Sequence, residues 1–234
     1  MFDLVAFDAD DTLWHSENAY AKAQEAFKQL LAAYHNPAYV EQELYQTEIR
    51  NLPYYGYGIK SFTLSLIETA IELSEGRISG TEIQRVINLG KEMLAAKVQL
   101  LEHAKDTVAQ LAEQYPLMLI TKGDFFHQET KIAQSGLRDY FQHIEIVNDK
   151  TRDVYAALLK KYQIAPSRFV MVGNSLRSDI LPVVGLGGRA VHIPYPITWA
   201  HESAVLQERE PEQYFELEHI GLLPALLERL ARLA

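Results

Sequence analysis

Apolar positions change rhythm three times along this chain. Residues 2–8 carry a short unbroken apolar run, Leu4-Val5-Ala6-Phe7, which predicts a buried strand. From Ser16 the spacing turns helical: Ala19, Ala23, Ala26, Phe27, Leu30, Leu31 and Tyr34 share one face, with Ser16 as the N-cap. Residues 36–50 predict a turn and a second helix, 51–61 a loop rich in glycine and aromatics, and 61–75 a third helix. Ser79 and Glu82 stand at capping-box spacing ahead of a fourth.

Beyond residue 100 the two periods alternate. Helical patterns at 106–115, 130–137, 153–162 and 178–185 are interleaved with apolar runs at 117–121, 143–149, 168–174 and 189–194. A last helix is predicted over 216–233, with Pro224 near its start. Strands alternating with helices imply parallel βαβ units covered on both faces. The expected fold is α/β, a Rossmann-like parallel sheet with an inserted α-helical domain. Residues 1–14 and 105–234 form the core and residues 15–104 the insertion. A helical segment that long, placed directly after a strand end, predicts a lid or second domain rather than a loop.

Composition narrows the class without naming it. With no cysteine, disulfides and thiolate metal sites are excluded. The N-terminal MFDLVAFD has no basic segment of a secretion signal, and no stretch reaches the roughly 20 apolar residues of a membrane span. A cytoplasmic protein is the expectation. The formal charge of −9 argues against nucleic acid and anionic membrane surfaces as partners. An anionic substrate would therefore need local cations.

Ligands of open parallel sheets bind at the carboxyl ends of the strands, so the residues after each apolar run are the ones to read. They are Asp8 and Asp10; Thr121, Lys122 and Gly123; Asn148, Asp149 and Lys150; and Asn174 with Asp179. In extended backbone Asp8 and Asp10 point to one side, and three carboxylates crowded at Asp8, Asp10 and Asp11 need something to offset their repulsion. Asp8 and Asp10 with Asn174 and Asp179 make an all-oxygen donor set, which suits magnesium. A calcium loop counted from Asp8 fails, because Leu13 falls where glycine is needed and Ala19 where glutamate is. Thr121 and Lys150 supply a hydroxyl and a point cation for a phosphoryl group, with Lys122 and the backbone around Gly123 as further donors. Asp179 has a competing reading as N-cap of a helix beginning at Ile180.

These residues resemble a family. Asp8-Ala9-Asp10-Asp11-Thr12 is similar to the DxDxT motif of haloacid dehalogenase-like hydrolases, and Thr121, Lys150 and GNSLRSD (173–179) resemble its later motifs in order. The resemblance implies an α-helical cap in the insertion and magnesium as cofactor. It also implies a phosphomonoesterase acting on a small phosphorylated metabolite, with Asp8 as nucleophile, Asp10 as acid and base, and Thr121 and Lys150 on the transferring oxygens. Metal ligation would fall to Asp8, Asp10, Asn174 and Asp179. Asp11 would be a turn or solvent residue. Two departures stand out: Asn174 replaces a common metal-binding aspartate, which predicts weaker metal affinity, and Thr151 replaces a common proline. Alternatives on the same scaffold are a phosphomutase, a haloacid dehalogenase, which generally lacks the second aspartate, and a non-catalytic regulatory protein. Tyr54, Tyr55 and Tyr57, with Arg50 and Lys60 nearby, are read first as packing in the insertion and second as a specificity loop. Trp199, His192 and His201 are read as loop packing.

Overall fold

The computed structural model describes residues 2–202 and 213–233. Its sheet has six parallel strands: β1 (Leu4–Phe7), β2 (Leu117–Lys122), β3 (His143–Val147), β4 (Phe169–Gly173), β5 (Arg189–His192) and β6 (Tyr214–Glu216). Their order is β3-β2-β1-β4-β5-β6, so β1 lies inside the sheet, paired in parallel with both β2 and β4. This is the expected Rossmann-like α/β architecture.

Alternation along the inner strands sorts the core into two layers. Val5 and Phe7, Leu117 and Leu119, Val170 and Val172 face one side, where α5 (Ala104–Ala112) contributes Val108 and Leu111 and α9 (Leu223–Leu233) contributes Leu223 and Leu227. Leu4 and Ala6, Met118 and Ile120, Phe169 and Met171 face the other, under Tyr155, Leu158 and Leu159 of α7 (Arg152–Tyr162) and Val183 of α8 (Leu181–Val184). Burial on both faces is why the central strands read as continuous apolar runs.

The chain folds as two units. The first is residues 1–17, 98–122 and 128–234; the second is 18–97 and 123–127. The helical unit is therefore shorter than residues 15–104 and gains a short piece from further along the chain. Its boundary moves because residues 98–103 pair back to the first unit, with Leu100 bridging Trp14 and the Leu101 N–H bonded to the Leu13 carbonyl.

Within the second unit, α1 (Glu17–Leu30, its first residue in the other unit), α2 (Pro37–Tyr55), α3 (Ile59–Leu73) and α4 (Gly80–Ala95) enclose a separate apolar core around Phe27, Val40, Leu44, Phe62, Leu66 and Val86. The capping box of Ser79 and Glu82 is present.

Three local expectations change. The helix predicted to stop at Arg50 runs on to Tyr55 through Pro53, which lies in its last turn before Gly56 ends it with a positive φ of 66°. A helix expected from Thr130 begins at Phe125, as α6 (Phe125–Ser135). Strand β6 was not anticipated; it adds to β5 through only three residues. Among the described residues, no helix is long and apolar enough to cross a membrane.

Candidate active site

The site begins where β1 ends. The Asp8 N–H bonds to the Val172 carbonyl at 2.8 Å, carrying the pairing one residue past the strand. The chain then turns: the N–H of Leu13 meets the Ala9 carbonyl at 2.8 Å, and that of Asp11 meets the Trp14 carbonyl at 2.7 Å. Asp11 takes a φ of 61°, a conformation that aspartate tolerates better than most side chains. It is not a solvent residue. Buried, it accepts from the backbone N–H groups of Ser16 and Glu17 and so caps the start of α1, a role expected of Ser16. Burial pushes its carboxyl up to about 7, against the two N–H bonds.

Asp8 lies 6 % exposed at the centre of the cluster. One carboxylate oxygen accepts from the Lys150 ammonium, and the other accepts from Thr12 Oγ1 at 3.1 Å. Lys150, from the loop after β3, also donates to Asp179 Oδ1 at 2.8 Å. Burial raises the Asp8 carboxyl to about 7; Lys150 pulls it down, and the negative charge of Asp179 helps hold it up. Burial works against the Lys150 charge, but the two carboxylates outweigh it and keep the ammonium protonated. One cation thus compensates two buried anions.

Asp179 reaches Lys150 because of how β4 ends. Ser175 caps a π-helical turn at Leu176–Ile180, accepting from the Ser178 N–H, and Asp179 lies within that turn. It does not cap a helix at Ile180. Its Oδ2 instead accepts from the Ser175 N–H at 3.0 Å. The carboxylate folds directly over Gly173, where a Cβ would lie 2.3 Å from Asp179 Cγ. Only glycine fits there.

Asp10, which bridges to Trp14 just before the chain turns at Asp11, has partners of its own. Lys131 Nζ lies 2.6 Å from both Asp10 oxygens, Trp14 Nε1 donates to Oδ1 at 2.7 Å, and Gln128 Nε2 donates to Oδ2 at 2.9 Å. Burial opposes ionisation, but Lys131 and the three sets of hydrogen bonds outweigh it and hold the carboxyl below its usual range. Lys131 and Gln128 are sequence-distant partners that the motif reading missed. Their spacing of three puts both on one face of α6, a signal visible only when the helix is started at Phe125.

Thr121 is buried near the end of β2, which lies beside β1. Lys122 turns elsewhere: its ammonium pairs with Glu202 and donates to Ser178 Oγ at 2.9 Å. Glu202, in a short turn at Ala200–Glu202, also accepts from Ser175 Oγ and Ser178 Oγ, both at 2.6 Å. Burial would raise its carboxyl, but Lys122 and the two hydroxyls bring it down to about 2. No sequence pattern ties Glu202 to the motifs. Gly123 has a φ of 129° and belongs to the second unit. His192 ends β5, where its ring meets the Asn174 carbonyl and the Glu216 carboxylate, both at 3.0 Å, so it supports the end of β4 rather than packing a loop.

Among the described residues, no group of three His, Asp or Glu side chains is arranged to hold a metal ion. The test of fit is Asn174. The inward atom of its amide lies 3.2 Å from Asp8 Oδ2, 3.2 Å from the Asp10 carbonyl oxygen and 3.3 Å from Thr12 Oγ1. With nitrogen turned inward it donates to them; with oxygen inward, three oxygens from Asp8, Asp10 and Asn174 face one another. That is the hard-oxygen donor set magnesium prefers, so the residues fit the cation.

The family model "haloacid dehalogenase-like hydrolase" matches residues 2–184. The chain belongs to this family. This haloacid dehalogenase-like hydrolase is similar to a family member from Xanthomonas campestris, at 41% identity and a TM-score of 0.87 over 98% of this chain and 91% of the other. It is 30% identical to the glyceraldehyde 3-phosphate phosphatase of Pyrococcus furiosus over 55% of this chain, a match that spans about half (53%) of that protein. It is also 24% identical to the 5-amino-6-(5-phospho-D-ribitylamino)uracil phosphatase YigB of Escherichia coli, over 81% and 82% of the two chains. A 2-haloacid dehalogenase from Pseudomonas syringae shares the fold at 22% identity, with a TM-score of 0.65 over 98% of this chain and all of that one. Fold alone therefore does not choose the bond that this hydrolase breaks.

Proposed function

We propose that this hydrolase is a magnesium-dependent phosphomonoesterase that acts on a small phosphorylated metabolite through an aspartyl-phosphate. The observation that carries the reading is the pair of carboxylates with separate surroundings, Asp8 on Lys150 and Asp10 on Lys131. A dehalogenase needs only the first. A phosphatase needs the second as well, to manage the proton on the leaving oxygen.

Asp8 attacks phosphorus, its Oδ–P bond forming as the P–O bond to the leaving group breaks. Asp10 in its protonated form gives its proton to the departing oxygen. Asp10 then takes a proton from the water that attacks phosphorus, which returns Asp8 as carboxylate and releases phosphate. In the ligand-free protein Asp10 is held as the base, the form that the second half needs. An arriving phosphoryl dianion favours its protonation for the first half.

Thr121 and Lys150 bind the transferring oxygens, and Lys150 keeps its charge in doing so. Lys122, clamped by Glu202, is assigned to the border of the site, and Gly123 contributes backbone at most. Asp8, the Asp10 carbonyl and the Asn174 amide oxygen would hold magnesium. Asp179, engaged by Lys150 and Ser175, acts on the metal indirectly. When bound, magnesium supplies the positive charge that offsets the phosphoryl oxygens. The helical unit, residues 18–97 and 123–127, serves as the cap, and the site of action is the cytoplasm.

The test is hydrolysis of a panel of sugar phosphates and nucleoside monophosphates, and of 2-chloropropionate, with and without magnesium. Phosphate release that requires magnesium supports the reading. Metal-independent chloride release without phosphate release replaces it with the dehalogenase.

A further inference from the structure

The grip on Asp10 exceeds what a surface ion pair supplies. Lys131 is bidentate at 2.6 Å, and its side chain is only 11% exposed, against 26% for Asp10. Two more donors fix the remaining directions. Trp14 Nε1 comes from four residues further along the same turn, and Gln128 Nε2 comes from the first-unit part of α6. Gln128 is itself pinned, since the same nitrogen donates to the Lys122 carbonyl at 2.6 Å. Two elements more than 100 residues apart in sequence thus converge on a single carboxylate. A carboxylate needed only for packing, or as a charge on a loop, would not take four donor contacts from three side chains.

We propose that Lys131, with Gln128 and Trp14, is a positioning residue that fixes the direction of the Asp10 carboxylate and thereby governs how well the enzyme expels leaving groups that need a proton. The inference rests on the phosphatase reading above and adds to it the residue that sets the leaving-group range. A proton transfer in the transition state is sensitive to the angle and distance of its donor. A side chain free to rotate about χ1 and χ2 delivers the proton less often, and the loss grows as the leaving oxygen becomes more basic. With an oxygen stable as an anion, proton delivery matters little.

Two measurements test this on the full-length enzyme. The first follows the side-chain N–H resonances of the two tryptophans by NMR, with no turnover required. In Lys131→Met the Trp14 indole signal should shift and its hydrogen exchange quicken, while Lys131→Arg keeps both close to the native protein. An unmoved Trp14 signal in Lys131→Met means that Lys131 does not hold the clamp, and the proposal falls even if no phosphate substrate is turned over.

The second measures kcat for para-substituted phenyl phosphates from 4-nitrophenyl to 4-methoxyphenyl. Lys131→Met should lose about tenfold more on the 4-methoxyphenyl than on the 4-nitrophenyl ester, and Lys131→Arg should recover most of that difference. An equal loss along the series, or a flatter dependence than the native enzyme shows, overturns the proposal. Failure of the native enzyme on every phosphate ester counts against the phosphatase reading itself, and the leaving-group proposal falls with it.

Discussion

Asp8 and Asp11 are neighbours in sequence with opposite duties. Asp8 is buried beside a cation, and the proposed reaction makes it the nucleophile. Asp11 is a buried anion that holds a turn. Replacing Asp8 with Asn leaves the shape of the side chain nearly unchanged but removes the proposed nucleophile. Turnover should fall by at least about a thousandfold, with the circular dichroism spectrum retained.

For Asp11 the expected effect is on stability, and its sign follows from the protons. A carboxyl near 7 in the folded protein and near 3.8 unfolded binds more protons when folded across that interval. Stability from this group therefore falls as pH rises from about 4 to 7, and stays low above it. Asp11→Asn keeps an acceptor oxygen and the positive φ but cannot ionise. Its melting temperature should exceed that of the native protein at pH 8, and the advantage should shrink toward pH 5. An advantage that grows as the pH falls would contradict this assignment.

At the scale of elements, the motifs were legible because each follows a strand of the parallel sheet, and apolar runs mark the buried inner strands plainly. Asp8, Lys150, Asn174 and Asp179 were found in this way. What escaped was held by helices and turns. Lys131 and Gln128 were hidden because a helix beginning with Phe125-Phe126 has no apolar period in its first turn, and both aromatics are exposed. Glu202 was hidden because no pattern precedes it, and β6 because three residues carry too little alternation. Pro53 misled in the other direction: it lies inside the helix, where proline lacks the N–H for the bond four residues back and is read as a stop.

Two variants test the elements directly. Gly173→Ala would drive a methyl into the Asp179 carboxylate and should cost about 1–3 kcal/mol in a denaturant titration, together with most activity. Glu202→Gln removes the partner of Lys122 while keeping a group for Ser175 and Ser178, and should cost on the order of 2 kcal/mol at pH 7. Because the Glu202 carboxyl is held near 2, that contribution is complete above about pH 4.5 and disappears only as the pH falls through 2. The gap between native and variant melting temperatures should therefore stay constant from pH 8 to 5.

For the whole molecule, charge decides more than composition does. A chain with a net charge of −9 does not draw an anion by its general field, so the proposed substrate would rely on the local cations at Lys150, Lys131 and Lys122 and on the proposed metal. Magnesium added to the metal-free protein should raise the melting temperature by mass action, and the rise should be larger in Asn174→Asp, where a formal charge replaces the amide. Calorimetric titration would show the same order in affinity. Equal affinities would mean that Asn174 takes no part in holding the cation.

In the proposed reaction Asp8 carries the phosphoryl group. The most direct measurement mixes the enzyme, magnesium and a turned-over phosphate ester, quenches in acid within the first turnovers, and reads the peptide containing Asp8 by mass spectrometry. A phosphoryl adduct on Asp8 is expected, absent without magnesium and absent in Asp8→Asn. Steady phosphate release with no adduct on Asp8 at any quench time, or an adduct on another residue, would contradict it.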